Sequence, residues 1–463
     1  NAFDAAVATA AALAVVEPTS TGVGGDAFAC YRTADGEVGA LSACGPAPEG
    51  ATRERVRAAV EGKNRDAASD ATPVEYGSDR NRPGVGMPDR GPHTVTVPGA
   101  VRGWEAILER FGRQTLADAL QPAIEYATEG YPVTEVVAAQ WTHAEELFDD
   151  DHARETWLFD GESPSVGQRV RLPDLGESLE AIAEGGADAL YEGAIGEAIA
   201  AEVQSHGGFL STEDLADFAV EWPEPVSTTY GGVELFELPP NNQGLLALEA
   251  LNLASEVGAG AFDYDSPERV HHFAEAMKLA FVDGHRHVTD PDYEDVPDLG
   301  SKSYAAERAE AIGQEAIEDP DVGVPNAGAA EDADTVLLCV ADGEGNVVSY
   351  INSRFAGFGS GLVAEGTGIA LQNRGASFSL DPDHPNRLEP GKRPFHTLVP
   401  AVARLGADDW AALGVMGGYM QPQGHVQVLS NVVDYDMPLQ AALDAPRWRY
   451  REDGTLAVEE RMH

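Results

Sequence analysis

Three groups of side chains along these 463 residues are of types that bind metals, bind nucleotides or attack carbonyl carbons. The first, Asp283, His285, His287 and Asp290, crowds the end of a helical stretch, and two imidazoles with two carboxylates are zinc-ligand types. His285 and His287 are two apart, so they do not share a helix face, and no third histidine stands at suitable spacing. A polar helix C-terminus is the preferred reading there. The second group, Gly22-Val-Gly24-Gly-Asp-Ala27, loosely fits a dinucleotide fingerprint, yet it follows a helix and lacks the strand–helix–strand context. The third spreads over 333–379, 392–400 and 415–423 and is rich in hydroxyls and glycines. It holds no Gly-x-Ser-x-Gly elbow, because Phe358 lies two before Ser360, and the chain has neither a Walker loop nor a His-Glu-x-x-His. Taken singly, Thr335 is a β-branched residue starting a strand and Gly417-Gly418 is a tight turn.

The elements that must hold these residues follow from pattern. Residues 2 to 16 are helix formers, apolar nearly all round, which marks a buried helix, and Pro18 ends it. A Gly-rich turn then leads into two short strands joined at Asp35-Gly36, a hairpin dipeptide. Residues 64 to 97 are acidic, Pro/Gly-rich and aperiodic, and read as a surface loop. From about 99 to 320 the pattern is mainly helical, with a capped start at Ser211 and Asp214 and short β-like pieces near 219 to 237. After residue 334 the character turns to strands: TVLLCVA, a turn at Gly343 to Gly345, NVVSYIN, GIALQ, TLVPAVARL and WAALGVMG. A helical stretch from roughly Gln421 to Ala445 follows. Strands at both ends with helices between suit one mixed domain whose sheets come from both halves.

Composition narrows the function. With 30 Lys+Arg against 78 Asp+Glu, the net charge of −48 repels phosphate backbones and anionic lipids, which speaks against nucleic-acid and membrane partners. The 43% hydrophobic content is that of a chain that buries a large core. Only Lys63, Lys278, Lys302 and Lys392 are lysines, and such acid excess with arginine preference points to a salt-rich setting, where a short Debye length screens the self-repulsion. Cys30, Cys44 and Cys339 are too scattered for a disulfide framework or zinc cluster. The visible chain carries no transmembrane run and no signal peptide, so a cytoplasmic location is expected, with anything before Asn1 outside this reading.

Taken together, NAFDAAVATAAALAVVEPTSTGVGGDAFA, TVPGAVRGWEAILERFG, QPAIEYATEGYPV, GGFLSTEDLADF, LPPNNQG, VMGGYMQPQGHVQVLSNVVDY and ALDAPRW resemble, in one order over almost the whole length, the γ-glutamyltranspeptidase family of N-terminal-nucleophile hydrolases. The resemblance implies an α+β fold, a four-layer αββα sandwich. It also implies self-cleavage between Asp334 and Thr335 into fragments 1–334 and 335–463 that stay together as a heterodimer, which can dimerise further. Thr335 becomes the nucleophile, and its new α-amine, with a pKa of about 7.7 to 8, is the base for its own hydroxyl. Ser353 matches a second hydroxyl beside the nucleophile, and Gly417 and Gly418 match the backbone donors of the oxyanion hole.

The substrate positions depart from the family pattern. Cys44 stands where an arginine clamps the glutamyl carboxylate, and Phe355 replaces an asparagine near the nucleophile. Arg374 and Ser377 replace the glutamine and aspartate that hold the α-amino group, and His396-Thr397 replaces tandem serines. Arg374 reverses the local charge, favouring a carboxylate there with Thr397 as second contact; the alternative is an arginine facing solvent or a surface acid. These departures resemble the branch that shades into glutaryl-amide and cephalosporin acylases. The expectation is thus a cofactor-free, metal-free γ-glutamyltransferase or hydrolase acting on small γ-glutamyl amides such as glutathione-type thiols, with water or an amine as acceptor. A glutaryl or other dicarboxylate amide acylase is the first alternative, and an uncleaved, inactive binding protein the second.

Overall fold

A computed structural model describes residues 1–67, 86–317, 333–451 and 453–462. The helix Ala2–Val16 is closed at its start by a capping box, Asn1 with Asp4. Its alanines let it lie close against the Leu116–Glu129 and Ala100–Phe111 helices on one side and the Ala333–Ala341 strand on the other. Asp342 Oδ2 accepts from the Ala2 N–H at 2.9 Å, tying the helix start to the turn after that strand.

Two four-stranded antiparallel sheets form the centre. In the first the order is Val38–Ala43, Asp26–Arg32, Val347–Ala356, Ala333–Ala341; in the second it is Trp410–Leu413, Ala401–Arg404, Val233–Glu237, Val226–Tyr230. Each sheet joins two adjacent strands from the part of the chain before residue 333 to two adjacent strands from the part that starts there. Side chains sort by the period of two. Phe28, Cys30, Ile351 and Val402 fill the space between the sheets. Ala27, Ala29, Tyr31 and Tyr350 face the other way, into a core with Trp104, Trp141 and the first helices. Beyond the second sheet, Leu235, Ala401 and Ala403 pack on the helices Gly244–Glu256, Pro267–His287 and Met420–Tyr435. Helices, sheet, sheet, helices is the expected four-layer αββα arrangement, and each buried Leu, Ile or Phe in it contributes about 1.5–3 kcal/mol. No helix among the described residues is long and apolar enough to cross a membrane.

The stretch 64 to 97 departs from the surface-loop expectation at both ends. Residues 64–67 finish the helix Arg53–Ala67, and Thr94 to Val97 are buried. The cause is tertiary: the Val97 carbonyl accepts from Gln372 and lies so near Gly45 that a Cβ there would sit 1.5 Å from its oxygen. Residues 68–85 lie outside the described residues. The GIALQ and TLVPAVARL segments hold only short ladders, Ile369–Ala370 and Ala401–Arg404.

Candidate active site

The site is built where the two central strands of the first sheet meet the strand that starts near Thr335. Asp26 pairs across from Ser353, and Asp334 across from Phe355. Between Asp334 and Val336 the register slips, so that Thr335 alone faces the two residues Ser353 and Arg354. Such a bulge re-aims a side chain. Thr335, buried, donates from Oγ1 to Ser353 Oγ at 3.3 Å, and Ser353 Oγ also accepts from the Phe355 N–H at 2.8 Å. Phe355 holds a φ of +83°, a left-handed conformation uncommon outside glycine and asparagine. The Gly-rich run before Asp26 permits this crowding, because a Cβ on Gly25 would sit 2.3 Å from the Ser353 carbonyl oxygen. That contact explains glycines that read as a loose nucleotide fingerprint.

From Phe355 the contacts continue. The Arg374 guanidinium lies over the Phe355 ring at 4.2 Å and donates from Nη1 to Thr397 Oγ1 at 2.8 Å. Gln243 Nε2 donates both to the Thr397 carbonyl at 2.8 Å and to the Gly418 carbonyl at 3.0 Å. Gly417 and Gly418, with φ of +105° and +54°, make the turn into the helix Met420–Tyr435. Neither of their N–H groups is spent on a hydrogen bond among the described residues. Thr335, Ser353, Phe355, Arg374, Thr397 and Gly418 are thus joined by consecutive contacts.

His396 and Cys44 join through Asp26, which sequence reasoning passed over. Asp26 is fully buried; its Oδ1 accepts from the N–H groups of Gly45 and Gly99 and from Gln372 Nε2, at 3.0 to 3.2 Å. Its Oδ2 lies 3.1 Å from His396 Nε2. His396 Nδ1 accepts from the Leu398 N–H, so Nε2 carries the proton and donates to Asp26. Burial and then Arg374 hold the His396 pKa well below the usual imidazole range. Burial pushes Asp26 up to about 7 against the pull of Arg374, and pushes Arg374 down to about 10 against the pull of Asp26. Cys44 accepts from Asn241 Nδ2 at 3.4 Å, and its thiol pKa is raised by burial and by Asp26. Asp26, Cys44 and His396 offer metal-ligand atoms within 4.8 Å of one another, but the hydrogen bonds just described already occupy them. Ser377 shares the turn Arg374–Ser377, with its carbonyl taken by Asn386. Asp26, Asn241, Gln243 and Gln372 were the missed members; the only signals were an acid set between glycine and an apolar strand, and the LPPNNQG run.

The Arg374 side chain is 0% exposed, which removes the solvent-facing alternative. Its Nε and Nη2 have no hydrogen-bond acceptor among the described residues. Away from this site, the Asp283–Asp290 group is structural. His285 is buried among Phe281, Phe395 and Tyr419 with its pKa pushed down to about 3, Asp283 binds Tyr304 and Arg308, and Asp290 binds Arg393.

Comparison with known proteins gives a consistent picture. A family model described as Gamma-glutamyltranspeptidase matches residues 1–463. A glutathione hydrolase-like proenzyme of Bacillus subtilis is 37% identical over 458 residues, covering 97% of this chain and 80% of its own length. An oxamate amidohydrolase proenzyme of Klebsiella pneumoniae is 36% identical, with 97% and 80% covered. A crystal structure of a cephalosporin acylase from Bacillus halodurans superposes with a TM-score of 0.86 at 42% identity, covering 100% of this chain and 82% of that one.

Proposed function

The chain belongs to the γ-glutamyltranspeptidase family, and from that premise we propose that it is a self-processing amide hydrolase whose preferred acyl group ends in a carboxylate and lacks an α-amine, as glutaryl does. The four-layer fold is that of the N-terminal-nucleophile hydrolases, and its relatives and structural neighbours are glutathione hydrolase-like and acylase enzymes. In the proposed reaction Thr335 Oγ1 attacks the Asp334 carbonyl carbon, the Asp334–Thr335 C–N bond breaks, and water hydrolyses the ester. The freed α-amine then takes the proton from Oγ1 as the hydroxyl attacks a substrate amide; the acyl-enzyme forms and the leaving amine carries the proton away. The uncommitted N–H groups of Gly417 and Gly418 suit the developing oxyanion, each such donor contributing about 3 kcal/mol.

The observation that carries the acyl preference is the buried Arg374 with Nε and Nη2 unspent. Those two donors form one edge of the guanidinium fork, which matches a carboxylate bidentately. An ammonium has no such counterpart, because both oxygens of Asp26 are already engaged. The test compares glutaryl- with γ-glutamyl-p-nitroanilide on processed protein, wild type beside Arg374→Gln. Glutaryl turnover is expected to exceed γ-glutamyl turnover, and R374Q to lower its kcat/KM by about 100-fold or more, the cost of removing a buried charged partner. Preference for γ-glutamyl with unchanged R374Q kinetics overturns the acyl assignment. An intact mass that stays at 48.9 kDa in wild type as in Thr335→Ala overturns the self-processing step.

A further inference from the structure

Where the start of the helix Asp151–Trp157 meets the end of the helix Ala194–Ser205, Asp150, Glu202 and His206 place one ligand-type atom each within 4.8 Å of one another. Asp150 precedes the helix Asp151–Trp157, and Glu202 and His206 are four apart at the end of the helix Ala194–Ser205, on one face. His206 Nδ1 lies 3.1 Å from the Glu202 backbone carbonyl, the contact of a donated N–H, which turns Nε2 toward Asp150 Oδ2 at 3.1 Å. Glu202 is 6% exposed, and its Oε1 makes no well-aligned hydrogen bond; the nearest nitrogens are His152 Nε2 at 3.4 Å and His206 Nδ1 at 3.5 Å. Burial raises the Glu202 pKa despite both imidazoles.

We propose that Asp150, Glu202 and His206 bind a divalent transition-metal ion of the zinc class. A proton on His206 Nε2 answers Asp150 alone, and the buried Glu202 Oε1 is left with two imidazole nitrogens at 3.4 and 3.5 Å but no aligned hydrogen bond. A divalent cation answers all three. Ligands at about 2.0–2.2 Å from zinc lie a little over 3 Å apart, which the Asp150–His206 separation matches. One imidazole with two carboxylates suits zinc, manganese or cobalt more than magnesium, which prefers oxygen donors throughout. The His206 and Asp150 side chains are 31% and 36% exposed, so an ion reaches the site and keeps water on its open side. The imidazole is already oriented through its second nitrogen, as metal-binding histidines usually are. His152 acts as a positioning residue: its Nε2 contacts the Val363 carbonyl at 2.9 Å and backs Glu202. The ion therefore fastens two helices that precede residue 335 close to a strand that follows it.

The test is calorimetric titration of chelator-dialysed protein with ZnCl2, with melting temperatures in the same buffers, for wild type, Glu202→Gln, His206→Gln and Asp150→Asn. Wild type is expected to bind one equivalent and to melt higher with zinc; each variant, near-isosteric and folded by its zinc-free melt, is expected to bind at least about 10-fold more weakly. Cobalt should give a visible absorption band in wild type that His206→Gln abolishes. No zinc binding in wild type overturns the proposal. So does binding that survives in all three variants, or that persists in His206→Gln and disappears in Cys44→Ser, which would move the ion to the other cluster.

Discussion

Replacing Ser353 with alanine separates two roles that one oxygen plays. Ser353 Oγ accepts from Thr335 Oγ1 at 3.3 Å and from the Phe355 N–H at 2.8 Å. The alanine leaves that N–H buried without an acceptor, which costs about 1–3 kcal/mol, at a residue whose φ of +83° is already unfavourable. Taking about 2 kcal/mol, and an unfolding entropy of about 2.1 cal/mol/K per residue, or about 1 kcal/mol/K for 463 residues, the melting temperature falls by about 2 °C. The protein stays folded at 25 °C. On the proposed mechanism the second role is larger, because a Thr335 hydroxyl that loses its Ser353 contact is less closely aimed at the carbonyl, and misplacement by about 1 Å costs about 100-fold in rate. The assay is an intact-mass time course of self-cleavage at 25 °C, with turnover of glutaryl-p-nitroanilide by the processed fraction. A S353A protein that melts 2 °C lower yet cleaves and turns over within about 3-fold of wild type refutes the reasoning and leaves Ser353 a purely structural acceptor.

Two further outcomes follow from charge. Asp26 has its carboxyl pushed up to about 7 from 3.8, so between those pH values the folded protein keeps a proton that the unfolded chain has released. Its contribution is therefore full below about pH 4 and is lost as pH rises through 7, by at most about 4 kcal/mol. Melting curves from pH 4 to 8 should show this decline in wild type and a flatter profile in Asp26→Asn; parallel profiles rule the titration out. The −48 charge predicts a melting temperature that climbs between dilute buffer and about 2 M KCl, and a flat response removes the argument for a salt-rich setting.

Much of this architecture was legible because local and global preferences agree. The largely apolar Ala2–Val16 helix, the Asp35-Gly36 hairpin and the Ser211–Asp214 capping box each follow from contacts within a few residues. What escaped depends on partners far along the chain. Asp26 draws its donors from Gly45, Gly99, Gln372 and His396, and nothing local marks an aspartate as fully buried. Thr94 to Val97 read as loop because the groups that meet them, Gly375 at Thr94, Gln372 at Thr96 and Val97, and Gly45 at Val97, lie far along the chain. The Asp150, Glu202 and His206 cluster has one pair at helical spacing, but its third member is some fifty residues away, and among 78 acids such a pair carries little weight. Arg374 was visible as a charge reversal, whereas its unspent donors are set by the fold around it.

Both sheets are completed by strands from either side of residue 335, and with the proposed self-cleavage this gives the molecule a direction in time. As one chain, its long ladders close with the modest entropy of an intramolecular loop, which grows only slowly with length. On the proposed reaction the bond before Thr335 is cut; neither piece then retains a complete sheet, and an unfolded pair must find each other in solution and bear the loss of translational freedom that the intact chain never faced. Scission then costs the assembled protein little and its renewal a great deal. The working lifetime of such an enzyme is set by how slowly it first comes apart, and the uncut precursor is its only economical route of manufacture.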